Sequence, residues 1–186
     1  MRKLWIVLAT VFIGNSASSQ EQSDMTDVEI FFSLIQSGEA SAVEDALIKN
    51  PALATDIDKY GFQPIHVLDY IDFEEKLALL TRYGADINAR NDEGIGLLHI
   101  LIDTDFLPLV LLAGADLELK DELGRTPVMV YLTDSGGLSM VAALLGAGAD
   151  PNASDSSGQS VLGYARLWND PQVTQIVIEA GGVNSN

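Results

Sequence analysis

A short glycine-containing motif recurs along this chain at nearly constant spacing, and it constrains the fold more than any other feature. The tripeptide Gly-Ala-Asp begins at Gly84, Gly114 and Gly148, with spacings of 30 and 34 residues. A second glycine series keeps the same period, and each member follows an Asp or Asn by three residues: Gly61, Gly94, Gly124 and Gly158. Two series with one shared period indicate a linear array of repeats, in which each unit stacks only on its neighbours.

Each period is predicted to contain a turn followed by two short helices. Apolar residues recur at helical spacing before the glycine of the tripeptide, as in Phe73, Leu77 and Leu80. A glycine after such a run ends a helix because it readily takes a positive φ. The Asp/Asn-x-x-Gly stretches are typical turn sequences. Asp170 and Pro171 are a capping residue and a first-turn proline for the last helix.

The repeated motif resembles that of ankyrin repeats, in which Asp-x-x-Gly-x-Thr-Pro-Leu-His precedes two helices that end at Gly-Ala-Asp. The corresponding opening segments here are 58–66, 91–99, 121–129 and 155–163. The resemblance implies an all-α solenoid of about five helix-turn-helix repeats with hairpin loops, over residues 26–184. The expected repeats are 26–57, 58–90, 91–120, 121–154 and 155–184.

The first and last of these repeats are divergent, as terminal units usually are. The repeat at 91–120 is about three residues short between its helices. We expect Pro108 to start a shortened second helix there, which makes this repeat a local irregularity.

The N-terminus has the layout of a secretory signal peptide. Basic residues at 2–3 precede an apolar run at 4–13, and small or polar residues follow at 14–19. The run is about half of the ~20 residues that a membrane-spanning helix needs. We therefore expect a cleaved leader at 1–19 and a linker at 20–25, and an uncleaved anchor is the alternative. The short leader is typical of bacteria and predicts a periplasmic protein without membrane insertion after cleavage.

Charge and cysteine content exclude several classes of function. The chain has 10 Lys and Arg against 27 Asp and Glu, a net charge of -17, and no cysteine. Nucleic acids and anionic membranes would be repelled, whereas a basic partner would be attracted. The alternative is that the acidity serves only solubility. The absence of cysteine excludes disulfides and thiolate chemistry.

The histidines and the repeated aspartates occupy positions in the repeat that indicate structural roles. His66 and His99 occupy the same repeat position, and the resemblance implies that each hydrogen-bonds within its repeat and braces the adjoining hairpin. Asp86, Asp116 and Asp150 are one turn residue displaced by a full repeat each time, so they are not expected to converge in a pocket. No nucleophile elbow or phosphate-binding loop is present. We expect neither catalysis nor a cofactor.

Recognition of another protein is the expected use of the surface. The resemblance implies a concave binding face made of the hairpin tips and the first helices. The candidate residues on it are Tyr60, Phe62, Tyr70, Ile71, Asp92, Glu93, Ile95, Leu123, Arg125, Asp134 and Trp168. Aromatic and aliphatic residues at tips ringed by acids are typical of binding hot spots. The alternative is that some of them fold back onto the next repeat as core.

The sequence therefore predicts a protein-binding module that is a monomer when free. The most specific hypothesis is that it is a periplasmic immunity protein or inhibitor that neutralises a secreted toxin or effector. The alternatives are a periplasmic scaffold or chaperone for a stress-defence enzyme, and a secreted effector that binds host proteins. An enzyme with scattered acids is a further alternative that lacks a convergent site.

Overall fold

The computed structural model describes residues 25–101, 103–133, 137–168 and 170–183. The predicted leader at 1–19 lies outside the described residues, as does the candidate Asp134. Of the predicted linker, only Met25 is described.

The described part of the chain is a series of short helices joined by turns. The helices are α1 (Asp27–Ser37), α2 (Ala40–Lys49), α3 (Phe73–Arg82), α4 (Leu97–Ile100), α5 (Leu107–Leu112), α6 (Pro127–Tyr131), α7 (Leu138–Gly146), α8 (Val161–Leu167) and α9 (Pro171–Glu179). Single 3₁₀ turns are formed by Pro51–Ala54, Pro64–Val67 and Thr104–Phe106. The predicted all-α repeat solenoid is confirmed.

Capping side chains set the ends of the outermost helices. The Thr26 hydroxyl accepts from the Glu29 amide at 3.2 Å, and the Glu29 carboxylate accepts from the Thr26 amide at 2.8 Å. This reciprocal pair satisfies two donors at the start of α1 that have no partner inside the helix. At the other end of the array, Asp170 accepts from the Gln172 amide at 2.8 Å, with Pro171 in the first turn of α9.

The repeats stack so that like elements meet. Along the first-helix row, α1 packs against the Pro64–Val67 turn, which packs against α4, followed by α6 and α8. In the second-helix row, α2 packs against α3, and α7 packs against α9. A continuous apolar core fills the space between the two rows, and its fully buried members include Ile35, Leu47, Ile65, Leu80, Val110, Met129, Leu144, Val161 and Val177. Each such side chain stabilises the fold by about 1.5–3 kcal/mol relative to its exposure.

The repeat at 91–120 is the irregular one, as its sequence predicts. Its second helix, α5, has 6 residues, with Pro108 in the first turn. The second helices of the flanking repeats have 10 residues in α3 and 9 in α7. The expectation for Pro108 is confirmed, and the stack contains one repeat with little helical backbone.

Candidate protein-binding surface

The hairpin tips share one hydrogen-bond geometry. In each tip an Asp or Asn side-chain oxygen accepts from the backbone amides two and four residues further on, at 2.8–2.9 Å. The accepting residues are Asp58, Asn91, Asp121 and Asp155. The two residues that follow each acceptor therefore take equivalent places in every tip: Lys59 and Tyr60, Asp92 and Glu93, Glu122 and Leu123, and Ser156 and Ser157.

Backbone hydrogen bonds join the last three of the four tips. The Glu122 amide donates to the Glu93 carbonyl, and the Ser156 amide donates to the Leu123 carbonyl, both at 3.0 Å. Gly94 has a φ of 75°, and a Cβ there would lie 2.8 Å from the Glu122 nitrogen. A side chain at this position would therefore break the junction. We call residues 59–60, 92–93, 122–123 and 156–157 the hairpin ridge.

Two buried histidines brace the hairpins from below. The His66 Nδ1 atom accepts from the Gln63 amide at 2.9 Å, and its Nε2 donates to the Ala89 carbonyl at 2.9 Å. His99 repeats the arrangement with the Arg125 carbonyl of the following repeat at 3.3 Å. Burial lowers the pKa of both imidazoles, which outweighs the opposing effect of their hydrogen bonds. The structural role predicted for these histidines is confirmed.

The exposed part of the ridge combines apolar and acidic side chains. Tyr60 is 55% exposed and Leu123 is 60% exposed. Between them along the ridge lie the exposed carboxylates of Asp92, Glu93 and Glu122. Large apolar side chains on a rigid backbone, separated by like charges, suit a partner that offers apolar pockets and basic groups.

Three of the candidate tip residues belong to the hairpin scaffold instead. Ile95 is only 6% exposed, so its predicted exposure at a tip is wrong. Its amide closes the tip, and its side chain turns inward. Phe62 is half-buried and meets the His66 ring edge-on at 5.7 Å. The Arg125 guanidinium forms two 2.7 Å contacts with the same Asp121 oxygen, so it is committed within its own hairpin.

The candidates assigned to the first helices lie elsewhere. Tyr70 and Ile71 follow the Pro64–Val67 turn and precede α3, so they belong to the connection between the two helices of their repeat. Trp168 directly follows α8, is half-buried, and donates its indole N–H to the Leu132 carbonyl of the preceding repeat. The placement of these residues on the first helices is wrong, because they follow those helices and the tips precede them.

No group of three or more His, Asp or Glu side chains in the described ranges is placed to hold a metal ion. Among the helices described, none is long and apolar enough to cross a membrane.

Comparison with known proteins agrees with the repeated hairpin and helix pair. The family described as Ankyrin repeat matches residues 123–156. The B-cell lymphoma 3 protein homolog of Mus musculus is 37% identical over 114 residues, which is 57% of this chain and 25% of that protein. The chain is an ankyrin-repeat protein.

Other relatives extend the similarity to most of the array. Neurogenic locus notch homolog protein 2 of Homo sapiens is 27% identical over 182 residues, 95% of this chain and 7% of that protein. A putative ankyrin repeat protein of Rickettsia felis is 38% identical over 93 residues, 46% of this ankyrin-repeat protein and 39% of the relative. The chain thus spans a small part of the length of these curated relatives. Ankyrin repeats bind other proteins.

Two residues that adjoin the candidates were not included in the candidate set. Glu122 completes the acidic centre of the ridge, and its position one residue after Asp121 matches that of Asp92, which could have identified it. Phe106 joins Tyr70 on the surface, with ring centroids 5.6 Å apart. No spacing rule connects these two residues, because their repeats differ in length.

Proposed function

We propose that this ankyrin-repeat protein is exported to the periplasm and acts there as an immunity protein, which binds and neutralises a secreted toxin or effector through its hairpin ridge. The observation that carries the proposal is the pairing of exposed Tyr60 and Leu123 with the carboxylates between them. The leader-like sequence at 1–19 supports the compartment. The net charge of -17 supports a basic partner.

The ridge suits inhibition because it is rigid before binding. Each tip is closed by side-chain hydrogen bonds, and the last three tips are hydrogen-bonded to one another, so little ordering entropy is lost on binding. Burial of Tyr60 and Leu123 supplies apolar contact area. The carboxylates attract basic groups over a distance and accelerate association. An inhibitor of this kind works by covering the partner's active surface.

The double variant Tyr60→Ala, Leu123→Ala tests the ridge. Because both side chains are exposed, the change should shift stability by no more than ~0.5 kcal/mol. Binding should weaken by about 2 kcal/mol or more, roughly 30-fold, if both side chains are anchors. The partner is first captured from periplasmic extract on the immobilised protein, then titrated against each variant by calorimetry.

Leu112→Ala is the matched control, because Leu112, at 87%, is the most exposed leucine of the described residues and lies on α5, away from the ridge. A double variant that binds as tightly as Leu112→Ala would contradict the proposal. The captured partner also separates inhibition from the scaffold alternative. An immunity protein abolishes the activity of its partner at a one-to-one ratio, whereas a scaffold leaves it active.

A further inference from the structure

A second exposed aromatic surface lies at the helix connections, away from the hairpin ridge. Tyr70 is 61% exposed, and its ring centroid is 5.6 Å from that of Phe106 at an angle of 54°. Phe106 in turn stacks flat on the buried Phe73, at 4.0 Å and 6°. Ile71, 44% exposed, is next to Tyr70 in the chain. We call Tyr70, Ile71, Phe73 and Phe106 the aromatic platform, because three rings lead from the core to the surface.

The two chain segments that carry the platform are rich in acidic residues. Segments 69–75 and 103–106 contain no Lys or Arg. Their acidic residues are Asp69, Asp72, Glu74, Glu75, Asp103 and Asp105. The next basic residue, Lys76, is fully buried, and its ammonium group is bonded to Asp69 and to the Ile35 carbonyl. The ion pairs found among the described residues involve neither Glu74, Glu75 nor Asp105.

The two exposed tyrosines differ in one respect. On the hairpin ridge, the Lys59 ammonium group lies 4.9 Å from the centroid of the Tyr60 ring. In the described part of the chain, no cation lies over the Tyr70 ring. An exposed aromatic face beside several carboxylates attracts a cation both through the ring quadrupole and through charge. Among the described residues, the Tyr70 ring therefore has no counterpart of the ammonium group that Lys59 places over the Tyr60 ring.

The connection that carries Tyr70 is held in place on both sides. The Asp69 carboxylate accepts from the Ile71 amide at 3.1 Å and from Lys76 at 3.1 Å. Asp72 takes a positive φ of 50°, and its carboxylate accepts from the Ala40 amide of α2 at 2.9 Å. The platform is thus preorganised, which lowers the entropy lost on binding.

We infer that the aromatic platform binds an arginine- or lysine-bearing polypeptide segment of a partner. The cation lies over the Tyr70 ring and faces the carboxylates of Glu74 and Glu75, and an adjacent apolar side chain covers Ile71. The inference goes beyond the proposed function, because the platform lies at the opposite end of the first helix from the hairpin ridge. Binding to it does not require the ridge.

The experiment measures fluorescence anisotropy of a labelled peptide of alternating Arg and Leu, titrated with the purified chain at about 150 mM salt, where long-range attraction is screened. Tyr70→Ala should weaken binding about fivefold or more, because it removes the ring that the cation contacts. Tyr70→Phe should bind like the wild type, since the ring remains. Glu74→Gln with Glu75→Gln should weaken binding about fivefold as well.

Two matched controls separate this site from general attraction to an acidic protein. Ile48→Ala removes an apolar side chain of similar exposure, 63%, on α2, away from both surfaces, and it should leave binding unchanged. Glu39→Gln with Asp45→Asn removes two exposed charges on the first repeat, and it should weaken binding less than about twofold. The inference is overturned if Tyr70→Ala binds like the wild type, if Ile48→Ala weakens binding as much as Tyr70→Ala does, or if both charge variants weaken binding equally. Thermal melting of each variant verifies that it is folded.

Discussion

At the residue scale, position 118 interrupts a ladder that links successive repeats. The side-chain amides of Asn88 and Asn152 each donate to the carbonyl of a glycine in the next repeat at 3.1 Å, and each side-chain oxygen accepts from a backbone amide there. Glu118 takes the same place and accepts from the Asp150 amide at 2.8 Å. Its carboxylate cannot donate the second hydrogen bond.

Glu118→Asn should therefore stabilise the protein at neutral pH by about 1 kcal/mol, the usual net contribution of one hydrogen bond. In a protein of this size the melting temperature should rise by ~2–4 °C, measured by circular dichroism. Asp86→Asn, a charge-matched change at a turn position, should give no such gain, since it adds no donor between repeats. If the melting temperature does not rise, another group already supplies the hydrogen bond that Glu118 cannot donate.

The pH dependence of this effect has a definite sign. Burial raises the pKa of Glu118, and the charges of Asp150 and Asp116 raise it further. The folded state therefore binds this proton more tightly than the unfolded state, so stability falls as pH rises through the pKa of Glu118. The advantage of Glu118→Asn should be largest at neutral pH and should shrink as the carboxyl becomes protonated in acid.

The roles of some individual residues could be predicted from the sequence, and the roles of others could not. The tip acceptors and both histidines were predictable, because their partners lie within the same repeat motif or in the adjoining one. Lys76 was not predictable. It lies eight residues before Gly84, and Met140 and Val173 lie eight before Gly148 and Gly181, in buried positions. A lysine among apolar equivalents suggests an exposed charge, yet its two partners come from other segments.

At the element scale, Lys76 joins the first repeat to the second. Its ammonium group in α3 donates to the Ile35 carbonyl in the last turn of α1 at 2.8 Å and contacts Asp69 at 3.1 Å. Lys76→Met should lower the free energy of unfolding by about 2 kcal/mol or more, since the Asp69 carboxylate loses its cation and the Ile35 carbonyl loses the ammonium donor. Urea denaturation measures this loss of stability. The control is Lys49→Met, which changes an exposed lysine of α2. Adding Asp69→Asn to Lys76→Met should recover part of the lost stability. If nothing is recovered, the Lys76–Asp69 ion pair contributes little to stability.

The repeat at 91–120 should be the least protected internal unit. It has one turn of helix in α4 and 6 residues in α5, so few backbone amides are held in regular helix. Native-state hydrogen exchange should show faster exchange at 97–112 than in α3 and α7 on either side. The comparison uses internal repeats because terminal ones fray. Equal protection across the three repeats would show that the stack opens as one unit.

At the scale of the whole molecule, the period alone predicted the architecture, whereas the division of the surface depended on three-dimensional stacking. The two glycine series predicted the number and order of the repeats. They could not show that Tyr70 and Trp168 follow the first helices, or that Ile95 turns inward. Those outcomes depend on how many residues each first helix uses before the chain reverses, which varies from the 4 residues of Pro64–Val67 to the 11 residues of α1.

The charge of the whole chain should make its stability depend on salt. With 27 acidic against 10 basic residues, most carboxylates repel one another, and the described residues contain few ion pairs that salt could weaken. Raising NaCl from about 10 to about 500 mM shortens the screening length and relieves this repulsion, so the melting temperature should rise by a few degrees. Calorimetry in NaCl and in KCl should give the same increase if screening is the cause.

A variant with Asp92, Glu93 and Glu122 changed to their amides should melt at a higher temperature in low salt, and added salt should raise its melting temperature less. A melting temperature that falls with salt would mean that native ion pairs outweigh the repulsion between the acidic residues.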